Sequence, residues 1–137
     1  MADVSVTAAS VIASSGAIIK RGVGGTAAMT AGMAVYRDAA DSNRLKPGVV
    51  TALASSQIVG ILLCGGGIGQ PLLYAESDDD FTPGFTMTVG ITYVLGGASG
   101  TIAPSADVGS GEFPVVLLVP KSTTKAKLKI LAGTVAQ

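Results

Sequence analysis

Lys125-Ala126-Lys127-Leu128-Lys129-Ile130-Leu131-Ala132 is the stretch that decides the fold of this chain. Lysine occupies every second position as far as Lys129, and Ala126, Leu128 and Ile130 fill the places between. Side chains of a strand point alternately to its two faces, so the pattern is a half-buried β-strand with a wet lysine face. An amphipathic helix needs apolar residues three and four apart, and no run of helical length supplies them. Working outward, short apolar runs bounded by Gly, Pro or Asp predict further strands at 32–37, 57–64, 70–76, 88–95 and 113–119. Asp41-Ser42-Asn43, Pro47-Gly48, Pro83-Gly84, Gly96-Gly97 and Gly109-Ser110-Gly111 mark the turns. A short helical turn is expected near 48–54 or 105–108.

The strands come in two matching sets. Thr30-Ala31-Gly32-Met33-Ala34-Val35-Tyr36 leads to Leu45-Lys46-Pro47, and Thr88-Val89-Gly90-Ile91-Thr92-Tyr93-Val94 leads to Ile102-Ala103-Pro104. Counterparts lie 58 positions apart at the threonine and 57 at the proline. QIVGILLC then QPLLYAE follow the first set, and FPVVLLV then KAKLKILA follow the second. The expected fold is therefore all-β: a small β-barrel or two-sheet sandwich built from a duplicated three-strand unit about a pseudo-twofold axis. Residues 30–137 would form this single body. Residues 1–29 are small and carry only Asp3, Lys20 and Arg21 as charges. They read as an extended N-terminal arm that lies on its own domain or reaches across to a neighbour.

Composition bounds the chemistry. Of 137 residues, 48% are hydrophobic and 13% charged, against roughly 25% charged in an ordinary soluble domain. Mean hydropathy is +0.57, which argues against a comfortable free monomer. There is no His, so neither a Ser-His-Asp triad nor a His general base is available. One Cys excludes an internal disulfide and a Cys/His zinc site. Nine basic and nine acidic residues cancel, leaving no basic field for nucleic acid. The longest apolar stretch, 58–68, is broken by Gly60, Gly65, Gly66 and Gly67, so no membrane helix is expected. With Asp3 in place of a positive n-region, a secretory signal is not expected either, and synthesis in the cytoplasm is. Charge is absent from 47–75 and from 81–106. Strands with a wet face normally carry charge, so these spans have both faces covered or one face on a partner.

Each candidate site has a plainer reading. Gly65-Gly66-Gly67-Ile68-Gly69 lacks the Gly-Lys-Ser/Thr ending of a phosphate loop and runs into Gln70-Pro71, so it reads as a hairpin connection. Glu76, Asp78, Asp79 and Asp80 lack the spacing of a calcium loop and read as a solvated turn, with a cation or a partner's basic patch as the alternatives. Lys121, Lys125, Lys127 and Lys129 have no interleaved aromatics and read as the guard of an edge strand. Cys64 reads as a small core hydrophobe. No catalytic set, cofactor site or metal site is expected. A small-ligand barrel would need convergent polar groups, and the sequence displays no evident set.

The ordered series of small apolar motifs resembles the decoration, or cement, proteins of tailed-phage capsids. An arm VTAASVIASSGAIIKRG comes first, then Thr30-Ala31-Gly32 before a strand ending at Tyr36, an Asp-containing turn and Leu45. Val59-Gly60-Ile61, a glycine-rich turn and Gln70-Pro71 follow. Val89-Gly90-Ile91-Thr92-Tyr93-Val94-Leu95 then leads to Gly100-Thr101-Ile102-Ala103-Pro104 and the closing strand. The resemblance spans the chain from Val4 to its end. It implies a bacteriophage structural protein without catalysis, carried on the virion. Such proteins bind the outside of an expanded capsid, often as homotrimers, and clamp adjacent subunits of the major capsid protein. On that reading Val4, Val6, Val11, Ile12, Ile18, Ile19, Lys20 and Arg21 are the capsid contacts, with the arm adding a strand to the shell and its two cations meeting acidic residues. Removal of residues 2–21 is expected to leave a folded oligomer that no longer binds expanded capsids. The alternative is a β-rich component of a phage tail or fibre.

Overall fold

Ten strands form in the computed structural model, which describes residues 3–133. Residues 1–2 of the expected arm and 134–137 of the expected body lie outside the described residues. The strands are β1 (Val11–Ile12), β2 (Ile18–Val23), β3 (Ala34–Asp38), β4 (Arg44–Pro47), β5 (Ile58–Leu62), β6 (Pro71–Pro83), β7 (Tyr93–Leu95), β8 (Ile102–Pro104), β9 (Val115–Pro120) and β10 (Ala126–Ala132). One turn of helix, α1 (Leu53–Ser56), precedes β5, and a 3-10 turn over Ser105–Asp107 precedes β9. The fold is all-β, an antiparallel sheet curled into a half-barrel.

The sheet runs β4-β3-β5-β6-β10-β9-β7-β8, an order that reads alike from either end once β3–β6 are matched to β7–β10. The registers carry the match to single residues. Val35 faces Pro47 and Tyr93 faces Pro104; Arg37 faces Leu45 and Leu95 faces Ile102. A bulge interrupts β3 against β5 between Val35 and Tyr36, and one interrupts β7 against β9 between Tyr93 and Val94. The turn ahead of each unit is the same. Met33 N–H donates to Thr30 O, and Ile91 N–H donates to Thr88 O. Gly32 and Gly90 hold φ of 93° and 96° at the third position, the conformation a type II turn demands and glycine accepts without strain. These turns occupy the starts of the two strands expected at 32–37 and 88–95, which therefore begin later, at Ala34 and Tyr93.

Two cores lie on opposite faces of β3, β5 and β6. Ala34, Ile61 and Ala75 join Phe81, Leu95, Leu117 and Leu128 in the larger core. The alternate residues Val35, Leu62, Leu72 and Tyr74 join Met29 and Leu45 in the smaller one. The uncharged span 47–75 is thus largely covered by the chain itself. The smaller core closes where β2 meets β4: Gly24 bridges Leu45, and Gly25 N–H donates to Leu45 O at 2.9 Å. Gly22 permits this approach, since a Cβ there would lie 2.6 Å from the Leu45 side chain.

Two expectations are corrected. Glu76, Asp78, Asp79 and Asp80 do not form a turn; they lie within β6, which continues to Pro83. The lysine strand β10 is no edge, because β6 flanks it on one side and β9 on the other. The two corrections share a cause. Lys121 pairs with Asp80 at 2.8 Å and Lys127 lies 3.9 Å from Asp79, so the acidic and basic stretches neutralise each other across adjacent strands. Seen singly, each looks like a solvated run.

The twin glycines give a test of packing. Gly90→Ala is expected to cost about 1–3 kcal/mol from its positive φ alone, because nothing lies within 4 Å of the added Cβ. Gly32→Ala meets the same backbone cost and also crowds Val6 Cγ1 at 2.5 Å and Val11 Cγ2 at 3.2 Å. Urea melts should rank Gly32→Ala as the less stable, with the gap narrowing when Val6→Ala is added. Equal midpoints would show that residues 6–11 do not pack on the first turn.

Candidate interaction surface

Residues 3–29 lie along their own domain, the first of the two placements open to them. Asp3 Oδ1 accepts from Gly97 N–H at 3.0 Å and its Oδ2 from Ala98 N–H at 3.2 Å. Val4 N–H donates to Ile102 O at 2.7 Å, and Thr7 N–H donates to Gly84 O at 2.9 Å. The segment then enters β1, where Val11 faces Pro83, and β2, which pairs with β6 from Ile18 against Ser77 to Val23 against Pro71.

Asp78 locks the segment in place. Its carboxylate is 3% exposed and accepts from Ser14 N–H at 2.7 Å, from the Ser14 hydroxyl and from Asp80 N–H at 3.0 Å. Burial alone would raise its pKa. The two Ser14 donors, the Asp80 N–H and the nearby positive charge of Lys125 outweigh burial and hold the pKa below its ordinary value. Arg37 adds a second fastening: its Nη2 donates to Arg21 O at 2.9 Å and to the Tyr74 hydroxyl at 3.0 Å. Its guanidinium also sits 5.5 Å from the centre of the Tyr74 ring.

The eight expected contact residues divide into two groups. Val11 is buried, and Val4 and Val6 are half-buried against the larger core, so these three hold the segment to the body. Ile12, Ile18, Ile19, Lys20 and Arg21 are exposed. Four of them are consecutive on β2, whose one ladder among the described residues is with β6. Lys20 pairs with Glu76 at 3.3 Å. Two more exposed apolar residues join this edge, Val23 on β2 and Leu73 opposite Arg21 on β6. Neither had a sequence signal of its own. Leu72 and Leu73 are chemically identical neighbours, and the pleat buries one and exposes the other.

Antiparallel ladders aim the backbone groups of successive residues alternately toward and away from the partner strand. The Arg21 carbonyl is outward, since Arg37 takes it, so the backbone of Ile19 is outward as well. Arg37 already takes the Arg21 carbonyl and β4 lies beside Gly24 and Gly25, so the edge keeps its outward main-chain groups at Ile19, with apolar side chains on both sides and two cations. Cys64 is half-buried beside the smaller core, and Leu73 N–H donates to its sulfur at 3.4 Å. Among the described residues no group of His, Cys, Asp and Glu is arranged to hold a metal ion, and no helix is long and apolar enough to cross a membrane.

A concavity of about 380 Å³ lies where residues 5–10, the end of β6 and the β9–β10 turn meet. Its lining is mostly Ser and Thr, with Phe85 as its one aromatic ring. No family model, curated protein or solved structure matches the chain.

Replacement of Asp78 by Asn would leave Ser14 and Asp80 donors facing an amide, and should cost about 1–3 kcal/mol at pH 7. The wild-type contribution has a fixed sign with pH. A carboxylate with a depressed folded pKa contributes fully above its unfolded pKa of about 3.9, and the contribution fades as pH falls through the folded value. Wild-type stability should therefore drop more steeply below about pH 4 than that of Asp78→Asn. Parallel acid limbs in thermal melts would remove Asp78 as the lock.

Proposed function

We propose that this is a non-enzymatic structural protein that binds the outer surface of an expanded phage capsid and clamps adjacent subunits of the major capsid protein. The observation that carries the proposal is the exposed edge of β2, with Ile18, Ile19, Lys20, Arg21 and Val23 fixed on a folded body. An open strand edge accepts an extended segment of a partner by β-augmentation, which draws affinity from main-chain hydrogen bonds and needs no large side chains. The charges choose the partner. A second copy of β2 laid antiparallel would set Lys20 and Arg21 against the same cations, which is unfavourable. An acidic, partly apolar segment suits the edge better, and the shell subunit is proposed to present one.

The body trimerises in this proposal, and the virion surface is its place of work. A trimer engages three shell subunits at once, so modest contacts add up to strong attachment. Binding only to the assembled shell stabilises that shell by mass action. The contact forms without release of the arm, because the N-terminal segment supplies Val11 to the larger core and the Ser14 donors to Asp78. Removal of residues 2–21 would therefore unfold part of the body, contrary to the expectation from sequence, and point substitutions are the appropriate probes.

Arg21→Glu and Ile19→Asp should each weaken co-sedimentation with undecorated expanded capsids at least tenfold, about 1.4 kcal/mol, while light scattering still reports a trimer. Undiminished co-sedimentation would overturn the edge as the contact. A monomer at micromolar concentration would overturn the trimer.

A further inference from the structure

We infer that the turn over residues 88–91 is the contact through which copies of this chain hold one another. The inference rests on the trimer of the proposed function and assigns the surface that builds it. The type II turns ahead of the two duplicated units share one backbone, yet they differ in cover. In the first, Gly32 is buried and Ala31 and Met33 are half-buried, with Val6 and Val11 of the N-terminal segment lying against the glycine. The second has no such cover. Val89, Gly90 and Ile91 are all exposed, Val89 at 58%, and a Cβ on Gly90 would meet nothing within 4 Å. The uncovered turn is nevertheless no more polar than its twin. Val89 and Ile91 stand where the first turn has Ala31 and Met33, so branched apolar groups occupy positions that water-facing turns give to polar residues. A single exposed apolar residue needs no explanation, but two that flank an exposed glycine make a patch.

The charges select a second copy as the occupant. No charged residue occurs from 81 to 106, so identical turns meet without setting charge against like charge, as two β2 edges would. The acidic segment proposed for β2 finds no cation on the turn itself. The first turn shows what such a turn accepts, namely branched apolar side chains from a neighbouring stretch of chain. A second copy supplies them from its own Val89 and Ile91. Three identical turns gathered on a three-fold axis cover one another and close the assembly. The β2 edge stays available to the shell, because β2 flanks β6 between Pro71 and Ser77 and the turn lies beyond the other end of β6 at Pro83. The turn is also held in place before assembly, so little order has to be imposed on contact. Thr88 N–H donates to the Tyr93 hydroxyl at 3.0 Å, and Met87 N–H donates to Thr123 O at 2.8 Å. Met87 and Tyr93 are both buried.

The experiment joins light scattering to a disulfide trap, both on the whole protein. Val89→Asp should raise the dissociation constant of the trimer at least tenfold and give a monomer at about 10 μM, with its circular dichroism spectrum unchanged. Ile68→Asp, at an isoleucine that is 62% exposed elsewhere, should leave the trimer intact. Val89→Cys in a Cys64→Ser protein should form an 89–89 disulfide on air oxidation and run as a dimer on a non-reducing gel. Ile68→Cys in the same background should not. A wild-type trimer that survives both Val89→Asp and Ile91→Asp would overturn the inference and leave the trimer standing. A wild-type monomer would overturn both. A Val89→Asp trimer that no longer co-sediments with expanded capsids would overturn it too, by assigning the turn to the shell. Should Val89→Asp fail to fold, the trap decides alone, and absence of the 89–89 disulfide would overturn the contact.

Discussion

A carboxylate buried in a sheet must be hydrogen-bonded on nearly every side, and Asp78 sets this condition for the molecule. It lies in β6 at the point where that strand changes partners. β2 runs along one edge of β6 as far as Ser77, while β5 takes the opposite edge at Tyr74 and Ala75 and β10 takes it from Ser77 to Phe81. Two strands thus occupy one edge in succession, and the sheet curls as they diverge. The donors that permit the charge come from Ser14, which lies on no strand and is held between β1 and β2. The N-terminal segment is therefore tied to the middle of the longest strand, and the two halves of the sheet are joined at the same place.

The duplication was legible because its marks are local. A glycine at positive φ, a bulge and a hairpin register each depend on a few neighbouring residues, and all three recur at matching positions. The last strand was legible for the same reason: Lys127 and Lys129 are exposed, and Ala126 and Leu128 are buried. Where the sequence misled, the deciding interaction was between distant residues. Three consecutive aspartates repel one another in an isolated strand. They are stable in β6 because Lys121 and Lys127 come alongside the second and third and Ser14 encloses the first carboxylate. Nothing near residue 78 announces a partner at residue 14.

The candidate surfaces were legible to different degrees. Ile18, Ile19, Lys20 and Arg21 stood out as apolar and cationic residues in a segment without its own core, and they are exposed. Val4, Val6 and Val11 have the same chemistry, yet they face inward, because only the register of β1 and the bond from Val4 to Ile102 decide their side. The hydroxyl-lined cleft had no signature at all. Its groups are common residues drawn from three separated segments, and the fold alone assembles them.

Both surfaces owe their existence to the part of the chain that breaks the internal symmetry. The two duplicated units bury their strands against each other and along their own hairpins, and neither unit alone carries a counterpart of residues 3–29. Those residues give β6 a third and fourth strand partner, whereas β10, its counterpart, pairs among the described residues with β9 and β6. The added segment leaves β2 as a strand with one ladder partner, and on its way to β1 it builds one wall of the cleft. A symmetric body would offer two equivalent faces and no way to tell them apart. Fixing the segment through one buried carboxylate makes the faces different and keeps them different, since Asp78 must remain covered for the sheet to stay folded.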